Sequence, residues 1–144
     1  MPAVFEQLGL RFEYPDNWSV DQFEEEEGDE QVVITSPNTA FWHLSKHPAD
    51  AEVEPLFDEA LAALRTEYSD MEVEPAAEDE LEGYPLQGFD VRFICLDLTN
   101  TCWLRAVSTG SATYLLLCQA EDREFEQVRL VFHAMLASLL RNLS

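Results

Sequence analysis

The sequence predicts an α+β fold: a mostly antiparallel β-meander sheet flanked by helices on both faces, an α/β/α sandwich. Three observations predict it. Short alternating or β-branched segments recur along the chain, separated by turns rich in Pro, Asn and Gly. Two segments carry apolar residues at helical spacing, one mid-chain and one at the C-terminus. The last strands are apolar on both faces, and such strands need cover on both sides.

The elements follow in order. Leu8 to Tyr14 alternates, with Leu8, Leu10, Phe12 and Tyr14 on one face, which predicts a half-buried strand. Pro15-Asp16-Asn17 makes a turn, since proline presets φ while Asp and Asn tolerate unusual backbone geometry. Trp18 to Phe23 begins the next strand. Glu24, Glu25, Glu26, Glu27, Gly28, Asp29 and Glu30 cannot pack and form an exposed hairpin tip. Gln31 to Ser36 is a β-branched strand, Pro37-Asn38 turns, and Phe41 to Lys46 is another strand.

Pro48 ends that strand, and Pro55 fits the first turn of a helix, where a missing N–H costs nothing. Phe57, Ala60, Leu61, Leu64 and Tyr68 form its apolar stripe. Met71 to Leu81 reads as an acidic short strand plus loop. Gly83-Tyr84-Pro85 turns into a strand over Leu86 to Leu98, in which Phe93 and Cys95 face one way and Ile94, Leu96 and Leu98 the other. Both faces are apolar, so cover on both is expected. Thr99-Asn100 is the expected turn into Thr101 to Ser108, and Thr109-Gly110-Ser111 leads into Ala112 to Gln119. Glu121 to Leu143 reads as one long helix with Phe125, Val128, Phe132, Met135, Leu136 and Leu139 as its stripe, widened by Val131 and Leu140. Acids in its first turns and Arg141 in its last suit the helix dipole.

The 144 residues are the size of one domain, and 47% hydrophobic content is enough for a core. No apolar run approaches the roughly 20 residues of a bilayer span, and Met1 to Leu10 has no signal-like pattern. Cys95, Cys102 and Cys118 match no zinc spacing and read as reduced, buried thiols, with a Cys95–Cys102 bridge across a hairpin as the alternative. A reducing, cytoplasmic setting is expected.

Net charge is −21. It argues against nucleic acid and anionic membranes as partners. Residues 1–90 hold 24 of the 29 acids and three of the eight bases, Arg11, Lys46 and Arg65, so the rest of the chain is balanced. Adaptation to a saline host would acidify exposed positions throughout, which the balanced last helix does not follow.

Candidate sites are few. His43 and His47 lie four apart on a predicted strand, roughly 13 Å from one another, too far to share an ion. His133 reads as a packing or rim residue. No GxSxG elbow and no Gly-rich loop opening a helix is present, so no catalytic, cofactor-binding or metal residue is assigned. The acidic run Glu24, Glu25, Glu26, Glu27, Asp29, Glu30 stands out as a surface for a basic protein partner. A loose calcium site and a solubilising tip are the other readings. Glu72, Glu74, Glu78, Asp79, Glu80 and Glu82 would extend the same field.

The segment Gly9 to Val20, GLRFEYPDNWSV, is similar to the strand–YPxxW–strand opening of the PsbP-like superfamily. That superfamily includes the photosystem extrinsic protein PsbP, the Ran GTPase-release factors and small bacterial proteins. The order of elements, ending in a helix with His133 to Leu140 as HAMLASLL, resembles theirs over nearly the whole chain. The resemblance implies a single PsbP-like domain over 1–144 that binds partners rather than catalyses. The expected function is therefore a non-enzymatic adaptor whose acidic N-terminal half faces a basic protein. A secretion-chaperone-like acidic dimer is the first alternative and an enzyme with an unrecognised pocket the second.

Overall fold

A computed structural model describes residues 2–24, 30–68 and 70–143, with backbone only at 22–24. The elements are β1 (Ala3–Gln7), β2 (Leu10–Tyr14), β3 (Ser19–Glu24), β4 (Glu30–Thr35), β5 (Phe41–His47), α1 (Val53–Glu67), β6 (Glu72–Pro75), β7 (Asp79–Leu81), β8 (Tyr84–Cys95), β9 (Leu98–Ser108), β10 (Thr113–Glu121) and α2 (Asp122–Arg141). The main sheet runs β3-β4-β5-β10-β9-β8-β6, with β7 beside β8, and β1–β2 form a separate two-stranded sheet. Each of these pairings is antiparallel. The fold is thus α+β and dominated by its sheet. No helix among the described residues is long and apolar enough to cross a membrane.

β10 enters the middle of the sheet, between β5 and β9. Its side chains alternate between two apolar clusters, as a pleated strand requires. Tyr114, Leu116 and Cys118 join Val32, Ile34, Trp42 and Leu44 and the α2 residues Phe132, Met135, Leu136, Leu139 and Leu140. Leu115 and Leu117 pack instead with Val91, Phe93, Cys102, Leu104 and the α1 residues Phe57, Leu61 and Leu64. The β1–β2 hairpin belongs to the first cluster. Phe12 stacks on Phe5 at 5.0 Å between centroids and meets Trp42 at 4.8 Å.

The YPxxW segment does local structural work. The Trp18 amide donates to the Pro15 carbonyl at 3.0 Å, closing the turn. The indole then lies edge-on to Phe132 at 6.0 Å, tying the turn to α2. Strand β3 starts one residue later than the sequence predicts.

Three hairpins share one device, of which the sequence reading located one turn to within a residue, at Gly83, and placed the others elsewhere. Leu8-Gly9, Glu82-Gly83 and Leu96-Asp97 are two-residue loops with positive φ at both positions. Such loops match the right-handed twist of the flanking strands. Leu8 is therefore a turn residue, and a whole strand, β1, precedes it. The expected turn at Thr99-Asn100 lies inside β9, since the register pairs Cys95 with Leu98 and Phe93 with Asn100. That shift overturns the expected two-sided burial near the tip. Ile94, Leu96 and Leu98 are 65%, 91% and 40% exposed.

A buried carboxylate joins α2 to the β4–β5 loop. Glu124 accepts hydrogen bonds from the Ser36 hydroxyl at 2.7 Å, the Thr39 amide at 2.7 Å and the Thr39 hydroxyl at 2.6 Å. Glu121 caps the same helix by accepting from the Arg123 and Glu124 amides, and its own amide donates to the Thr39 hydroxyl. Burial pushes the Glu124 carboxyl up, but the hydrogen bonds from Thr39 and Ser36 outweigh it and hold the group below the usual glutamate value.

Three substitutions test these features. Gly88 sits so close to β9 that an added Cβ would lie 1.8 Å from the Leu104 carbonyl oxygen, so Gly88→Ala costs more than about 3 kcal/mol in urea unfolding. Leu96→Asn relieves a left-handed leucine and raises stability by about 1 kcal/mol in the same assay. Glu124→Gln lowers stability by about 2 kcal/mol near neutral pH. The folded-state pKa of Glu124 is depressed, so its contribution is present above the unfolded value and lost as pH falls through the folded one. The melting-temperature gap between wild type and Glu124→Gln therefore closes below about pH 4.

Candidate functional site

The two ends of the acidic run lie on an edge hairpin, β3–β4. Glu24 and Glu30 are directly paired across β3 and β4. Glu25, Glu26, Glu27 and Asp29 lie outside the described residues. Glu30 continues a row across the sheet: it pairs with Lys46, which pairs with Tyr114. One Glu30 carboxylate oxygen is buried with no hydrogen-bond partner among the described residues. Burial pushes the Tyr114 phenol up, and the charges of Glu30 and Tyr84 push it further.

The second acidic stretch does not extend this field. Glu72 and Glu74 lie on β6, at the opposite end of the strand order from β3. Six strand spacings put the two edges roughly 29 Å apart, several times the ~8 Å screening length of physiological salt. The exposed Glu72 and Glu74 make the β6 edge acidic, which discourages edge-to-edge pairing with other chains.

A cleft of about 400 Å³ opens between α1 and the β5–β10 pair. It exists because α1 meets only part of the sheet. Among the described residues, the α1 cluster takes side chains from β6, β8, β9 and β10 but none from β3, β4 or β5. The side chains of β5 that alternate with buried Trp42 and Leu44 therefore line an opening: Phe41, His43 and Ser45. The sequence assigns His43 no binding role. The signal available was the polar alternation His43, Ser45, His47, but no local pattern says that a helix packed elsewhere leaves this side open. A second groove, about 480 Å³, lies between β2 and α2 beside Leu130, which is 73% exposed.

His43 and His47 share a face of β5 without sharing a ligand. The His43 Nε2 is 2.9 Å from Gln31 Oε1, and the His47 Nε2 is 2.9 Å from Ser45 Oγ. Among the described residues no three His, Cys, Asp or Glu side chains are grouped to hold a metal ion. His133 is exposed on α2, at the rim of a small cavity beside Trp103 and Arg105. All three cysteines are free. The Cys95–Cys102 bridge is excluded by register, because Cys95 pairs with Leu98 and Cys102 with Val91, four residues along the strand. Burial pushes the Cys102 thiol up to about 12 and the Cys118 thiol well above its usual value, so neither is a nucleophile.

No protein-family model and no curated protein matches the chain. Solved structures do. Cyanobacterial PsbP from Synechocystis matches with a TM-score of 0.61 and 14% identity, over 95% of this chain and 90% of that one. A protein of unknown function from Pseudomonas aeruginosa matches at 0.53 and 11%, over 96% and 95%. LpqN of Mycobacterium tuberculosis, involved in cell envelope biogenesis, matches at 0.50 and 17%, over 94% and 80%. At such identities the likeness carries the fold, and with the order and pairing of strands described above it establishes that this chain has a PsbP-like fold.

Proposed function

We propose that this chain is a non-enzymatic binding domain, arranged as an α/β/α sandwich, whose acidic N-terminal half receives a basic protein. The alternation along β10 supports the sandwich, since its two sets of side chains pack with different helices. Charge segregation carries the partner reading: 24 of 29 acids fall in residues 1–90, while the remainder is balanced. The Glu24–Glu30 pairing at the edge of the sheet supports this reading, since a partner can approach an edge strand without disturbing the core. A field of one sign at such a site speeds encounter with an oppositely charged surface. Glu124, whose carboxyl is held below its usual pKa, is spent on holding the β4–β5 loop rather than on a reacting group. A reducing, cytoplasmic setting suits the three free thiols.

The test is a pull-down from native lysate with wild type and with a variant in which Glu24, Glu25, Glu26 and Glu27 are all changed to Gln. The expected outcome is a basic protein that wild type retains, that elutes with added salt, and that the variant loses. Equal retention by the two baits would end this reading.

A further inference from the structure

We propose that the cleft between α1 and the β5–β10 pair is a binding site for a small uncharged amphiphile, a ring or short-chain molecule with a hydrogen-bonding group at one end. This site is separate from the acidic hairpin. Its volume of about 400 Å³ falls within the usual range of small-molecule sites.

The walls divide by polarity. Leu64 of α1 and Leu115 and Leu117 of β10 supply an apolar floor, and the Tyr68 ring lines the cleft with them. That ring is fixed, stacked on Phe93 with centroids 3.8 Å apart and planes 19° apart. Ala60 and Ala63 are the small residues that α1 presents to the opening, so the helix leaves space there. The polar wall is His43, Ser45 and Gln119. Each is oriented before any ligand arrives: His43 by Gln31 at 2.9 Å, Ser45 by His47 at 2.9 Å, and Gln119 by the Tyr68 hydroxyl at 3.5 Å. The last bond is long, so a ligand group replaces it at little cost. Ser45 is only 5% exposed, and its hydroxyl also lies 3.5 Å from the Leu115 carbonyl.

Charge selects the class of ligand. Among the described residues no Lys or Arg lines the cleft, Glu67 stands in its wall, and the chain carries a net charge of −21. An anionic head would be repelled and left unpaired. An uncharged molecule buries its apolar body on the leucines and meets the amide, hydroxyl and imidazole with its polar end.

The probe for the test is N-phenyl-1-naphthylamine, a neutral aromatic amine whose fluorescence rises on leaving water. Wild type is expected to give a saturable, one-to-one rise. Ala63→Trp, which fills the cleft from an exposed helix position, is expected to weaken binding at least tenfold. Ala62→Trp, its exposed neighbour outside the cleft, is expected to bind as wild type. A titration that does not saturate, or one that is the same for all three proteins, overturns the proposal; the latter points to the β2–α2 groove. Backbone amide shifts of wild type with the probe give an answer that needs no variant. Changes concentrated at Leu64–Tyr68 and Leu115–Gln119 support the site, and changes elsewhere refute it.

Discussion

Burial of β10 on both sides is the constraint on which the rest of the molecule depends. Tyr114, Leu116 and Cys118 are at most 4% exposed on one side, and Leu115 and Leu117 pack against the α1 cluster on the other. This strand also joins the two parts of the sheet, since β5 and β9 flank it. A strand apolar on both faces has a weakly specified register, because a one-residue slip exchanges one apolar set for another. Its ends supply what the pattern does not. At the start, the Thr109 amide and hydroxyl both donate to the Ala112 carbonyl. At the far end the Thr101 hydroxyl donates to Asp122 at 2.7 Å, and Glu121 and Glu124 hold Thr39. Polar clasps at both ends therefore fix a register that apolar packing alone leaves loose.

The cover over this sheet is unequal. The cluster shared by α2 and the β1–β2 hairpin takes side chains from β4, β5, β9 and β10. The α1 cluster stops at β10. An unequal cover produces concavity, and concavity is what a binding surface needs. The close approach at Gly88 serves the same end. It brings β8 against β9 and lets Arg105 reach the Phe89 carbonyl at 2.9 Å and the Asp90 carboxylate at 2.8 Å while lying 5.4 Å from the Trp103 ring centre. The β8–β9 pair is thereby a firm floor under α1.

Much of this was legible in the residues. The α+β class, both helices with their buried stripes, the proline-led turn before Trp18 and the strands β4, β5 and β10 follow from periodicity and turn chemistry. These are local properties, set by neighbours within a few positions. The errors cluster where local signals mislead. Thr99-Asn100 looks like a turn, yet Leu96-Asp97 makes it, because long pairing on both sides of the loop compensates for a left-handed leucine.

The sequence by itself determined the element types, the segregation of charge and the apolar character of the central strand, since each is a property of short segments. Tertiary structure alone decided that Glu24 on β3 and Glu72 on β6 belong to opposite edge strands, that Ile94 and Leu96 face solvent, and that His43 and Ser45 line a cleft. The physical reason is pairing at a distance. β5 meets β10 across some 70 residues, as when Ser45 pairs with Leu115, and only that contact brings the polar side of β5 beside α1.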